Sequence, residues 1–227
     1  MVRNAAPGNA SRPAGPLEGR RERKRAETRE RIFGAALSLF ADKGFAATTV
    51  EDITQLADVG KGTFFNYFPT KEHVLAFLAE TQVSKVHQAL EQVRSASRPP
   101  EALIRELAYE LVKNPSRSPQ FVRSLILTFL GTSEARYAMQ RQMEIGRGKL
   151  AEIFEMLQQR GEIRPDAVPL VLARTFQQSV LGTLLLWSLN PQGPVREMLD
   201  PALDVFWRGV RTGGNSSERS PKVRSTR

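Results

Sequence analysis

Cysteine is absent from the 227-residue chain. That excludes disulfides, thiolate metal sites, iron–sulfur ligation and cysteine nucleophiles. Histidine occurs twice, at His73 and His87, which leaves little material for imidazole-based metal binding or acid–base catalysis. No metal site and no cofactor is expected, and the expectation is that the chain is not an enzyme. The two histidines lie on one predicted helix about four turns apart, too far to share a site, and each reads as a surface or core residue. Long apolar runs are missing too. Val180–Leu189 is interrupted by Gly182, Thr183 and Ser188 and falls well short of the roughly 18 apolar residues that span a bilayer. No apolar stretch follows the N-terminal charges, so a secretory leader is not expected. A cytoplasmic protein with no membrane partner is the expectation.

Acidic charge is scarce relative to basic: 24 Asp and Glu stand against 33 Lys and Arg, for a net +9. The excess sits at the ends. Residues 1–31 carry nine basic and four acidic side chains, residues 212–227 carry four and one, and the body is nearly neutral. A basic tail is either a solvated arm or a device for meeting a polyanion, most simply nucleic acid. The tails lack the apolar face that membrane insertion requires. Composition divides the chain into a disordered leader over 1–20, a body, and a disordered basic tail over 212–227.

Within the body no strand alternation is sustained, and helical spacing dominates. A first helix runs from Arg21 to about Lys43, with Ile32, Ala36, Leu39 and Phe40 on one face and Gly44 as its stop. Thr49 and Asp52 form a shortened capping box ahead of a brief second helix ending near Ala57. Asp58-Val59-Gly60 makes a turn, Lys61–Tyr67 a third short helix, and Pro69 a stop. Thr70 is expected to cap a fourth helix, Lys71 to about Ser95. Five more follow: Glu101–Lys113, Pro119–Leu130, Ser133–Arg160 (weakened by Gly146 and Gly148), Val168–Leu189 and Pro194–Arg211. The fold class is therefore all-α with nine helices: a helix-turn-helix domain over 21–85 with its motif at about 49–68, then a helical domain over 86–211.

Two short helices joined by a tight turn cannot bury themselves, so the first helix must complete a small core. Phe33, Leu37, Phe40, Phe45, Ile53, Leu56, Val59, Phe64 and Phe68 are the candidates for that core. Phe64 and Phe68 are four apart and point inward. Lys61, Thr63, Phe65, Asn66 and Tyr67 then face outward. That face suits a DNA major groove, which admits one helix and offers base edges and thymine methyls. Asn66 can pair with a base edge and Phe65 can touch a methyl. Tyr67, Lys61 and Lys71 can reach phosphates, and Thr49 sits at a helix N-terminus that favours them. The basic run RRERKR at 20–25 is expected to be an arm that adds phosphate or minor-groove contacts.

The run VEDITQLADVGKGTFFNYFPTKEHVLAFL (50–78), preceded by ALSLFADKGFAATT (36–49), resembles the DNA-binding domain of the TetR family of bacterial transcriptional regulators. The resemblance covers about residues 25–85. It implies a homodimer on a palindromic double-stranded operator. It also implies a C-terminal helical domain that binds a small-molecule effector, which weakens DNA binding and relieves repression. The family's DNA-facing positions fall on Thr49, Lys61, Thr63, Phe65, Asn66, Tyr67 and Lys71. Three positions depart from the family pattern. Asp58 stands where glycine is usual, and a left-handed Asp costs of order 1 kcal/mol. Gly60 stands where serine is usual, and Phe65 stands where tyrosine is common.

Surplus apolar residues in the C-terminal half give candidate interface and pocket residues. Leu170, Val180, Leu184 and Trp187 are the candidates for pairing two protomers. Phe121, Leu125, Phe129, Tyr137, Met143, Phe154, Phe176 and Gln177 are the candidates for a pocket with a mostly apolar lining, which suits a hydrophobic effector. The alternative to a regulator is a helical adaptor that binds a protein partner through the Phe65/Tyr67 face. An enzyme reading lacks residues: Gly60-Lys61-Gly62 has neither the strand nor the spacing of a phosphate-binding loop.

Overall fold

A computed structural model describes residues 16–95, 98–131 and 133–212. Most of the expected leader and of the basic tail lies outside the described residues. Among these there are nine α-helices: α1 (Pro16–Lys43), α2 (Val50–Leu56), α3 (Lys61–Tyr67), α4 (Lys71–Arg94), α5 (Pro100–Lys113), α6 (Pro119–Gly131), α7 (Ser133–Gln159), α8 (Pro169–Leu189) and α9 (Val195–Val210). A single 3-10 turn, Pro115–Arg117, separates α5 from α6. The architecture is all-α, as the apolar spacing implies.

Local chemistry accounts for the boundaries. Gly44, at φ 84°, turns the chain out of α1. Pro169 occupies the first turn of α8, where its missing N–H costs nothing. Gly161, at φ 71°, follows α7, which passes through Gly146 and Gly148 unbroken. Three details differ from the sequence expectation. Helix α1 begins at Pro16, so RRERKR is not a free arm but the exposed early part of α1. Thr70 precedes α4 in extended conformation, yet its hydroxyl meets His73 Nδ1 at 3.1 Å rather than a backbone N–H. Leu56 is 55% exposed, because Ile53 and Ala57 form the inward stripe of α2 and Leu56 lies beyond its edge.

The buried residues form two clusters. The first joins α1, α2, α3 and the start of α4 around Phe33, Phe40, Ile53, Phe64 and Phe68, with Phe45 and Val59 half-buried at its margin. It also takes in Phe121 and Leu125 from α6. Phe121 stacks on Phe40 with ring centroids 6.3 Å apart, and Ser118 Oγ donates to the Ala41 carbonyl at 2.8 Å. The second cluster is built from the later part of α4 and from α5 to α9 around Phe154, Phe176 and Phe206. Helix α4 supplies both clusters, and α6 packs against α1 at one end and against α7 and α8 along its length.

Candidate nucleic-acid interface

The presentation of α3 begins at α2. Thr49 is extended, its Oγ1 accepts from Asp52 N at 3.1 Å, and Asp52 Oδ2 accepts from Thr49 N at 2.8 Å. This reciprocal pairing satisfies orphan donors at the helix start. Lys43 Nζ, at the end of α1, lies 2.6 Å from the same Oδ2. Lys43 first, and Thr49 second, hold the Asp52 carboxyl far below the usual carboxylate range. One carboxylate thus ties the first helix to the start of the motif.

The turn between α2 and α3 requires a left-handed residue, and Asp58 takes it at φ 50°. Val59 N then donates to the Thr54 carbonyl at 3.0 Å. Gly60 precedes α3 without a side-chain cap. Phe64 and Phe68 plug the first core from α3 and its C-terminal end, which fixes the rotation of the helix. The opposite side is free: Phe65 is 50% exposed, Lys61 and Asn66 are exposed, and Thr63 and Tyr67 are half-buried. Phe65 rests edge-on against Phe64 at 5.4 Å, so its outward pose is braced. Tyr67 leans on the first core as well as facing out. Lys61 is ion-paired with Glu51, and both are more than half exposed. Such a pair is worth little in water and yields readily to a phosphate.

Two expected phosphate ligands are placed otherwise. Lys71 is committed to the protein: Nζ donates to the carbonyls of Phe45 at 2.9 Å and Thr48 at 3.0 Å, with Ala46 O at 3.4 Å, and lies 4.6 Å from the Phe45 ring centroid. It ties the head of α4 to the α1–α2 loop. Thr49 is exposed, but its hydroxyl is spent on the capping box.

Arg29 was not among the sequence candidates. Its guanidinium lies 3.8 Å from the Phe77 ring centroid and 5.6 Å from that of Phe68, beneath α3. Arg25, Arg29, Glu30, Asn66, Tyr67 and Phe77 line a notch where α1, α3 and α4 meet. The i, i+4 spacing of Arg25 and Arg29 was the available signal.

A second concave feature lies in the C-terminal half. A cavity of about 410 Å³ opens between α4, α6, α7 and α8. Leu125, Phe129, Met143, Phe176 and Gln177 line it, as the sequence suggested. Phe121, Tyr137 and Phe154 do not. Phe121 belongs to the first core, Phe154 is sealed among the rings of the second, and Tyr137 is 71% exposed. The sequence reading missed the contribution of α4, whose Leu78, Gln82 and Val86 recur at helical spacing along the wall.

The interface candidates also divide. Val180, Leu184 and Trp187 are buried within the chain, and Val180 and Leu184 line the cavity. Leu170 is outward, at 47% exposure. Besides Leu170, α8 exposes Val171, Leu186 and Leu189, continued on α9 by Met198 and Val205, while the part-exposed Leu181 and Leu185 also line the cavity. Among the described residues, no helix is long and apolar enough to cross a membrane.

Residues 32–77 match the family model for bacterial regulatory proteins of the tetR family. The transcriptional regulator TcmR of Streptomyces glaucescens is 40% identical over 83 residues, 37% of this chain and 34% of that protein. The chain spans only about a third of the length of the first curated relatives it matches. The crystal structure of the TetR-family repressor FadR of Thermus thermophilus in complex with lauroyl-CoA superimposes with a TM-score of 0.56. It is 27% identical, covering 85% of this chain and all of that one. SmeT of Stenotrophomonas maltophilia, in its triclosan complex, shares the fold with a TM-score of 0.64 at 23% identity, over 86% of this chain and all of that one. The capping box, the left-handed turn, the outward aromatic face of α3 and these similarities converge: residues 32–77 form a DNA-binding domain of the kind found in bacterial regulatory proteins of the tetR family.

Proposed function

We propose that the chain is a ligand-responsive transcriptional repressor, acting in the cytoplasm as a homodimer on a palindromic operator. The observation that carries this reading is the α3 face. It presents two aromatics, an amide and an ammonium on a helix whose back is locked into a core. In this reading Asn66 meets a base edge, Phe65 a thymine methyl, and Tyr67 and Lys61 the flanking phosphates. Arg25, beside the Asn66–Tyr67 end of α3 in the notch, adds a further cation at the backbone.

One α3 reads one half-site, so two-fold symmetry is what makes the affinity useful. The apolar outward faces of α8 and α9 are the matched surfaces, since a C2 interface buries the same patch on both protomers. The effector enters the cavity. The apolar lining, together with the acyl chain of lauroyl-CoA on FadR and triclosan on SmeT, supports an apolar molecule. Coupling runs through α6: Leu125 belongs to the first core and also lines the cavity. A filled cavity and the operator-binding spacing of the two α3 helices then compete for one position of α6. The ligand shifts the balance by its differential affinity for the two states.

Binding of the full chain to duplex DNA across a salt series tests the reading. The logarithm of affinity is expected to fall linearly with the logarithm of salt. Tyr67→Ala is expected to weaken binding to all sequences, and Asn66→Ala to change preference among sequences. Salt-independent binding to a protein partner, with no DNA affinity, would support the adaptor reading instead.

A further inference from the structure

Among the described residues that line the cavity, none is charged. The exposed ones, Leu130, Leu181 and Leu185, lie at the end of α6 and along α8, with Met139 and Met143 of α7 half-buried. The mouth therefore opens on that side. The helices that frame it carry charge of one sign. Helices α6 and α8 contain no Asp or Glu, and each has a single cation, Arg123 and Arg174. Over residues 133–149, α7 has Arg136, Arg141, Arg147 and Lys149 against two glutamates. Six cations thus stand against two carboxylates around the mouth, in a body that is nearly neutral as a whole.

Two of these arginines sit at the rim. Arg147 Nε donates to Gln177 Oε1 at 3.1 Å, and Gln177 Nε2 donates to the Met143 carbonyl at 3.2 Å. Gln177 lines the cavity, so this pair of bonds joins α7 to α8 and holds the Arg147 guanidinium at the cavity's edge. Arg174 is exposed. It lies one turn before Gln177 and two turns before Leu181, which puts it on the same side of α8 as those lining residues. Among the described residues neither guanidinium meets a carboxylate.

Wall and rim favour different parts of one molecule. A charge drawn into the uncharged wall loses hydration and gains no counter-ion. A negative charge left at the rim keeps its water and meets two unneutralised cations. We propose that the effector is an anionic amphiphile, whose hydrocarbon chain fills the cavity and whose negatively charged head stays outside on Arg147 and Arg174. The negative head is what this adds, and the proposal rests on the reading of the C-terminal half as a ligand sensor.

A chain-matched series tests it on the full-length protein: 1-dodecanol, dodecanoate, lauroyl-CoA and dodecyltrimethylammonium, each below its micelle limit. An anion is expected to bind about fivefold or more tightly than dodecanol, and the cation weakest of the four. A lead held by dodecanoate identifies a carboxylate head, and one held by lauroyl-CoA alone identifies the phosphates. The lead is expected to shrink at about 0.5 M salt, because rim charges are screened. Arg147→Gln and Arg174→Gln are each expected to weaken anion binding by about two- to fivefold, the share of one exposed ion pair. Both leave dodecanol binding unchanged, which reports an intact cavity, and the double variant is expected to erase the lead. Gly146→Leu locates the chain. A Cβ there meets only Val83 Cγ2 at 3.8 Å, so the longer side chain extends into the cavity, and binding of all four is expected to be lost. Dodecanol or the cation binding as tightly as both anions overturns the proposal. So does a lead that survives the double variant, anion binding untouched by Gly146→Leu, or binding of none of the four. DNA release, measured separately, keeps the two claims apart. An anion that binds as described without releasing DNA defeats the sensor reading and leaves the rim assignment standing. Dodecanol that releases DNA as well as either anion does the reverse.

Discussion

At the scale of single residues, the motif is held by two side chains, one that the sequence offers as a DNA ligand and one that it offers as half of a capping box. Lys71 is one. Its ammonium serves carbonyls of the α1–α2 loop, of which Phe45 O also accepts from Thr48 N. Lys71→Met takes the ammonium from the Thr48 carbonyl and leaves the Phe45 carbonyl only the Thr48 N–H, in a part-buried site, and is expected to destabilise the N-terminal domain by about 1–3 kcal/mol. Denaturant melts read this directly. The salt slope of DNA binding is expected to stay unchanged, because no phosphate contact is lost, whereas Lys61→Met is expected to reduce it by about one. Asp52 is the other. Its folded carboxyl is held below its ordinary value by Lys43 and Thr49. The stability it contributes is therefore present above pH about 4 and is lost as pH falls toward the folded value. Asp52→Asn is expected to be less stable at neutral pH and to show a flatter decline in acid. A variant curve parallel to wild type down to pH 2 would contradict this role.

At the scale of elements, helix positions were legible because proline, glycine and capping residues punctuate nearly every boundary. Asp58 illustrates the limit. A left-handed position was foreseeable there, since the chain must reverse within three residues, and Asp tolerates it. The face that a long apolar helix buries was not foreseeable. Helix α8 is apolar nearly all round, so periodicity could not say that Val180, Leu184 and Trp187 turn inward while Val171, Leu186 and Leu189 turn outward. Apolar spacing on α4, α6 and α7 likewise could not say that Phe154 and Phe121 are sealed in the cores while Gln82 lines the cavity. Short helices gave a cleaner answer. In α3 and its C-terminal cap the Phe64 and Phe68 pair fills the core and Tyr67 packs at its margin, so Lys61, Phe65 and Asn66 face outward as the spacing implies. The outward stripes of α8 and α9 carry an element-scale prediction. Val205 is 73% exposed on the α9 stripe. Val205→Glu combined with Leu189→Glu is expected to give a folded monomer at micromolar concentration in sedimentation, where the wild type is expected to sediment as a dimer. A dimer that tolerates both substitutions would move the interface elsewhere.

At the scale of the whole molecule, two cores share two helices. Helix α4 passes from the first cluster to the second, and α6 contributes Phe121 and Leu125 to one while its later residues wall the cavity of the other. A ligand that reshapes the cavity therefore cannot leave the reading head undisturbed, since close-packed interiors transmit displacement rather than absorb it. The account still depends on α3 entering duplex DNA with Phe65 foremost. The most direct measurement places a photoreactive phenylalanine analogue at position 65 of the full chain, bound to a duplex recovered by selection from random sequence. The account predicts cross-links to bases in the major groove, at two positions related by the two-fold axis of an inverted repeat. Bound DNA that yields no base cross-link at position 65 would contradict it.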